Sequence, residues 1–306
     1  MIAIYCVLFA ILSWRRLNWA LALVVFALPS YLIRFQLGFV PMTLLEAMIL
    51  ILFAVWLIRR LIEKDIKINF GGYGWLIFLF LLSATIAIFV STDRTAALGI
   101  WKAYFIEPIM FFVVLVNAVK NQKDWRLVIW ALGFSALVVG SAAIFQKFTG
   151  FGILTLSWFN EETRRVTSWF GYPNAVGLYL APIVVLVFGI IKLKNTSAAG
   201  GDQWLNFARL VFYFLVVAVS LFAIIFAKSE GALAGILAGI IFLGLFYPNK
   251  KFKVAVLVSL ILLVSLVLLV PTSRIYAIEK LTFSDISGQI RLQQWKETVN
   301  MLKDSR

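Results

Sequence analysis

The chain has 306 residues, 63% of them hydrophobic, and its mean hydropathy of +0.98 lies well outside the range of soluble domains. One cysteine, Cys6, excludes an internal disulfide, and a sequence without histidine excludes imidazole acid–base chemistry and imidazole metal ligands within these residues. The formal charge of +14 points to basic residues pinning cytoplasmic loops rather than to nucleic acid, so no nucleic-acid partner is expected.

Apolar runs of about 20 residues recur, each long enough to cross a bilayer as a helix. They lack the alternation of barrel strands. The expected architecture is therefore all-α, a polytopic transmembrane helix bundle of about 9–10 spans with two longer outer loops. It is read as a single integral membrane domain over residues 1–306. The first apolar stretch, 1–13, is short and is followed by Trp14-Arg15-Arg16, the reverse of the charge order of a signal peptide. It reads as a short first helix or a re-entrant segment. Spans are then expected at 17–32, 41–58, 73–90, 96–119 and 125–145, and, past a polar stretch, at 174–191, 205–226, 231–246 and 253–270. No solenoid repeat appears.

Lys and Arg alternate along the connections. One set of loops carries Arg15 and Arg16, then Arg59, Arg60, Lys64 and Lys67, then Lys120, Lys123 and Arg126, then Lys192 and Lys194, then Lys250, Lys251 and Lys253. The short loops of the other set carry only Arg34, Arg94 and Lys228. The rich set is assigned to the cytoplasm, which puts the two longest connections, 147–172 and 271–306, outside. Within the spans, Glu46, Lys102 and Glu107 stand out. Charge inside a membrane is costly and is kept for a reason. Glu46 falls about a turn and a half inside its helix. Lys102 and Glu107 are five apart, roughly 140° around an α-helix, so each calls for a partner on another helix. Structural ion pairing and proton coupling in a transporter are the alternatives.

The chain is organised around Glu161-Glu162-Thr163-Arg164-Arg165-Val166-Thr167-Ser168-Trp169-Phe170-Gly171-Tyr172-Pro173-Asn174. Its aromatics, with Trp158 and Phe159, fit an interfacial belt. Two adjacent arginines next to a helix start need a further reason. Pro173-Asn174 reads as that start, with Asn174 capping the first free N–H groups. Helices beginning near Ser229-Glu230-Gly231 and after Ser91-Thr92-Asp93 enter from the same side. Helix N-termini plus guanidinium groups make an anion site, and at a bilayer surface the anion is a lipid phosphate or pyrophosphate.

The last loop holds Gly288-Gln289-Ile290-Arg291-Leu292-Gln293-Gln294-Trp295. Leu292, Trp295, Val299 and Leu302 form one helical stripe, so an amphipathic helix on the outer surface is expected. Arg291 and Trp295 share a face. A plain interfacial helix with snorkelling charges also accounts for them.

Arg165 through Leu180, with its aromatic turn and Pro173-Asn174 opening a helix, resembles the core signature of the O-antigen ligase and polymerase superfamily. Arg291 to Trp295 resembles that family's second signature, an Arg followed four residues on by Trp. Lys228-Ser229-Glu230-Gly231 is similar to a third, Ser-Arg-Gly, but has Glu230 in the arginine's place. The signature region runs over about residues 160–306.

The resemblance implies a membrane glycosyltransferase on the outer face of the bacterial cytoplasmic (inner) membrane. It would move a glycan from polyprenyl pyrophosphate to the hydroxyl of a lipid or glycan acceptor, in cell-surface polysaccharide biosynthesis. Arg165 and Arg291 are expected on the departing pyrophosphate, with Arg164, Asn174 and Lys228 binding the lipid-linked glycan. No cofactor and no metal are expected, and membrane lipids are expected partners. Family members usually carry a histidine later in the large outer loop, followed by more helices. Its absence reads as truncation of a longer protein or as a degenerate member. A transporter or lipid-linked oligosaccharide flippase, and a scaffold membrane protein, are the competing classes.

Overall fold

The computed structural model describes residues 1–38, 40–64, 67–153, 155–194, 203–246 and 271–304, together with 253, 254, 256–258, 265 and 269. Helices dominate: α1 (Ile2–Arg15), α2 (Leu17–Phe26), α3 (Leu44–Ile62), α4 (Gly74–Val90), α5 (Arg94–Trp101), α6 (Glu107–Ala118) and α7 (Gln122–Thr149), then the single-turn α8 (Leu156–Phe159). The long helices α9 (Pro173–Lys194), α10 (Gln203–Phe226) and α11 (Glu230–Phe246) follow, and α12 (Pro271–Leu281) and α13 (Ile286–Asp304) close the chain. The only strands among the described residues are β1 (Arg34–Leu37) and β2 (Val40–Thr43), an antiparallel hairpin. This is an all-α polytopic membrane bundle. Among the described residues four helices have the length and apolar composition to cross a membrane: α5 through α6, α7, and the stretches Pro173–Ile191 and Asn206–Phe226 of α9 and α10. Shorter apolar helices are α1, α2, α4 and α11. The expected span at 253–270 lies for the most part outside the described residues.

Residues 1–236 form one compact unit and 237–306 another. In the first, Phe9, Leu21, Val24, Met48, Leu52, Trp56 and Val114 build a buried core from α1, α2, α3 and α6. Small residues let α10 approach α7. A Cβ added at Gly133 would sit 2.7 Å from the Phe212 ring, and one at Gly140 2.7 Å from Val219 Cγ1.

Two expectations are corrected here. The span expected from residue 41 begins only at Leu44, because 41–43 pair in β2 and Thr43 caps α3. Glu46 is therefore in the first turn and not deeper. It completes a capping box, with Thr43 Oγ1 accepting from Glu46 N at 3.2 Å and Glu46 Oε2 from Thr43 N at 3.1 Å. The second correction is to the angle between Lys102 and Glu107, while the expectation that each finds its partner on another helix holds. The helix widens to a π-turn over Lys102–Ile106, where Glu107 N–H donates to Lys102 O. That extra residue per turn brings the two side chains towards one face, and Lys102 and Glu46 are the charged neighbours of Glu107. Lys102 Nζ makes an ion pair with Glu46 Oε1 on α3, the interhelical partner its position required.

In the second unit, α12 and α13 are joined by a turn in which Lys280 Nζ pairs with Asp285 Oδ2 at 2.7 Å. Phe283 adopts φ +55° there and its ring meets Trp295 edge-on at 5.6 Å.

Candidate functional site

The expected arginine loop follows α8 and is fastened at several points. Gly150, at φ +69°, ends α7 in the left-handed conformation. A side chain there would meet Arg164, whose guanidinium packs 3.2 Å from the position a Cβ would take. Arg164 is 6% exposed. Its NH1 donates to Lys147 O at 2.8 Å, in the last turn of α7, and its Nε to Phe159 O at 3.2 Å. It also lies over the Phe159 ring at 5.6 Å. Arg164 thus holds the loop to the helix end.

Arg165 faces the other way and is half-buried. Its Nε donates to Ala227 O at 3.1 Å, and its NH2 to Asn174 Oδ1 at 3.2 Å and Lys228 O at 3.4 Å. The fork so bridges the end of α10, the turn before α11 and the start of α9. Its NH1 group makes no hydrogen bond among the described residues. Lys228 adopts φ +51° and its Nζ donates to Thr163 O at 3.3 Å. The structure therefore brings Arg165, Asn174 and Lys228 together, whereas the Arg164 side chain is turned to the end of α7. Arg291 lies in the second unit, exposed on α13.

The expected cap at Asn174 is corrected. α9 begins at Pro173, whose fixed φ suits the first helical position, so Asn174 is already inside the helix. Its Oδ1 accepts from Arg165 instead.

Gln146 was not foreseen. It is buried on α7, and its Oε1 accepts from the backbone N–H groups of Thr167 at 3.0 Å and Ser168 at 2.8 Å. Its Nε2 donates to Ser168 O at 2.7 Å. Ser168 is held at φ +52°, with Oγ donating to Val139 O at 2.9 Å. Phe170 stacks on Tyr31 at 6.5 Å and tilts against Tyr179 at 5.8 Å, whereas Trp169 and Tyr172 remain half exposed. Gly177, one turn into α9, lets Ser229 approach, since a Cβ would fall 2.4 Å from its Oγ. This brings the starts of α9 and α11 together beside Arg165.

A guanidinium fixed by carbonyls, with one amino group spare and two helix N-termini adjacent, is chemically an anion holder. On α13 the apolar side chains Ile290, Trp295, Val299 and Leu302 are exposed, and Leu292 is half-buried, so the expected stripe forms.

Residues 214–306 match the family model described as O-antigen ligase. No curated protein and no solved structure matches the chain.

Proposed function

From the match of residues 214–306 to the O-antigen ligase family model, we propose that the chain is a membrane glycosyltransferase of the ligase or polymerase kind. It acts at the outer face of the bacterial cytoplasmic membrane. The donor is a glycan on polyprenyl pyrophosphate, and the acceptor is a hydroxyl of a lipid or glycan. The acceptor oxygen forms the new bond to the anomeric carbon, the bond to the pyrophosphate oxygen breaks, and the hydroxyl proton passes to water or to the departing lipid pyrophosphate.

The observation that carries this reading is Arg165, braced by Ala227 O, Lys228 O and Asn174 Oδ1 with NH1 left over. Negative charge builds on the pyrophosphate as it departs. A cation already fixed in place stabilises that state more than the ground state, without reorganising. Asn174 orients the fork, Arg164 anchors the loop beneath it, and Lys228 adds positive charge at its rim. Arg291, in the second unit, enters through its Arg–Trp signature alone, as a cation proposed for pyrophosphate.

The test is glycan transfer from a purified lipid-linked donor in detergent or nanodiscs. Arg165→Ala is expected to lower the rate by about 10²–10³, in the range of losing one preorganised donor to developing charge. Arg165→Lys keeps the charge but loses the fork, and is expected to fall between Ala and the parent. Arg291→Ala is expected to lower transfer as well. Transfer undiminished in both alanine variants would sink the assignment of the arginines, and no transfer by the parent chain would leave a flippase or transporter, read out by oligosaccharide translocation in vesicles.

A further inference from the structure

α7 starts at one end of the first unit and ends 28 residues later beside Arg164. At its starting end, helix ends enclose a cavity of about 980 Å³. Three connections bring six cations to its wall: Arg15 and Arg16 between α1 and α2, Arg59 and Arg60 at the end of α3, and Lys120 and Lys123 around the start of α7.

The carboxylates there are engaged within the protein. Asp124 Oδ1 accepts from Asn18 Nδ2 at 2.7 Å, and its Oδ2 from Lys120 N at 3.1 Å. Glu63 stands 4.0 Å from Arg59. Among the described residues, the side chains of Arg15, Arg16, Lys120 and Lys123 have no ion-pair partner. α2 also begins at this wall with no side-chain cap. Converging like charges in a concave site raise a positive potential that an anion relieves.

Besides Asn18, Asn117 and Asn121, the wall carries the apolar side chains Leu17, Trp19, Trp56, Ala118 and Leu127. Trp56 is buried, with the Arg60 guanidinium 5.7 Å above its ring, and Trp19 is 55% exposed at the edge, near Leu127. A bias of loop charge towards the cytoplasm explains the sign of these residues but not their convergence on a cavity with an apolar side. Cations serve any phosphate. Only a phosphate carrying acyl chains also uses the tryptophan edge.

We propose that this cavity binds the phosphate head group of an anionic membrane lipid, with the acyl chains lying along the Trp19 side. The site is separate from the arginine loop, and its test does not depend on glycan transfer.

The full chain, purified in detergent, is mixed with phosphatidylglycerol or phosphatidylcholine and bound lipid is counted by native mass spectrometry. Inorganic phosphate is added in a separate arm, read by the thermal midpoint. Phosphatidylglycerol is expected to be retained over phosphatidylcholine. The variant Arg16→Gln/Lys120→Gln/Lys123→Gln is expected to lower its retention roughly tenfold or more. The control Lys67→Gln/Arg126→Gln, outside the cavity wall, is expected to change it by less than about twofold. Inorganic phosphate is expected to leave the midpoint unmoved. The proposal is overturned by equal retention of the two lipids, by retention unchanged in the cavity variant, or by equal loss in the control. A midpoint raised by phosphate as much as by lipid overturns it in favour of a soluble anion. If the triple variant does not purify, Lys123→Gln alone, at an exposed side chain, is expected to lose roughly three- to fivefold, and no loss overturns the proposal.

Discussion

Two adjacent arginines in this loop have opposite fates. Arg164 is buried on carbonyl oxygens, and Arg165 is only half-buried with a spare amino group. Arg164→Ala is therefore expected to lower thermal stability by about 2–3 kcal/mol, since it strands buried carbonyls and opens a void. The accompanying loss of transfer should be recovered at lower temperature, unlike that of Arg165→Ala. Gln146→Leu removes three hydrogen bonds to buried backbone and should cost about 2–4 kcal/mol, measured as a shift in denaturation midpoint in detergent. Sequence carried the first of these facts better than the second. Arg165 through Asn174 is contiguous and resembles a signature. Gln146 lies 21 and 22 residues before its partners, and an amide in an apolar helix has many possible uses. Asn174 shows a subtler limit: Pro-Asn marks the start of a helix, but only the tertiary position of Arg165 decides what the amide does there. At Asp285, the hydrogen bond from Lys280 holds the carboxyl below its ordinary value, outweighing the opposing loss of solvation. A folded value below the unfolded one stabilises at neutral pH, and that support is lost as pH falls through the folded value. Acidification below pH ~4 should thus loosen the α12–α13 turn, seen as faster amide exchange at Ser284 and Gln289, and Asp285→Asn should abolish the dependence.

Among the elements, the start of α9 depends on Gly177. Gly177→Val would drive a branched side chain into Ser229 and Ala232. It is expected to cost about 1–3 kcal/mol and to reduce transfer by displacing Asn174 from Arg165. A transfer rate unaffected by this substitution would mean that the close approach is not what positions the site. Packing of α3 against the π-turn rests on Lys102 and Glu46. Lys102→Met leaves two buried carboxyls facing each other. Because the lysine side chain is 37% exposed, the expected loss is about 1–3 kcal/mol rather than the full cost of a buried pair, and it should be relieved by adding Glu46→Gln. Nearly all long helices were legible, since a run of apolar residues has one stable form in a bilayer. The hairpin 34–43 was not. Its strands are four residues each and run straight into α3, so the apolar stretch masked the boundary, although Thr43-Leu44-Leu45-Glu46 carries the capping-box pattern. The π-turn is marked only by Pro108, whose missing N–H breaks the helical ladder just after it, and the angle between Lys102 and Glu107 departs from the ordinary helical value although the expected interhelical partner is there.

In the first unit, the three basic connections at 15–16, 59–60 and 120–123 and the arginine loop occupy opposite ends of α7. In a background with Cys6→Ser, a cysteine placed at Lys67 should react with a membrane-impermeant thiol reagent only from the cytoplasm, and one at Glu162 only from outside. The opposite pattern would reverse the orientation read from loop charge, and reaction of both from one side would remove the opposite placement of these two connections. The length of α7 has a bearing on how a lipid substrate arrives. At 28 residues it measures roughly 42 Å, against a hydrocarbon layer of about 30 Å. Unless strongly tilted, its final turn stands at the level of the phospholipid phosphates, and Lys147 O ties Arg164 to that turn. The loop therefore rides at the depth where a polyprenyl carrier, its tail kept among the acyl chains, already holds its diphosphate. A donor of the kind proposed would reach Arg165 by sideways diffusion within its own leaflet, without being lifted into water.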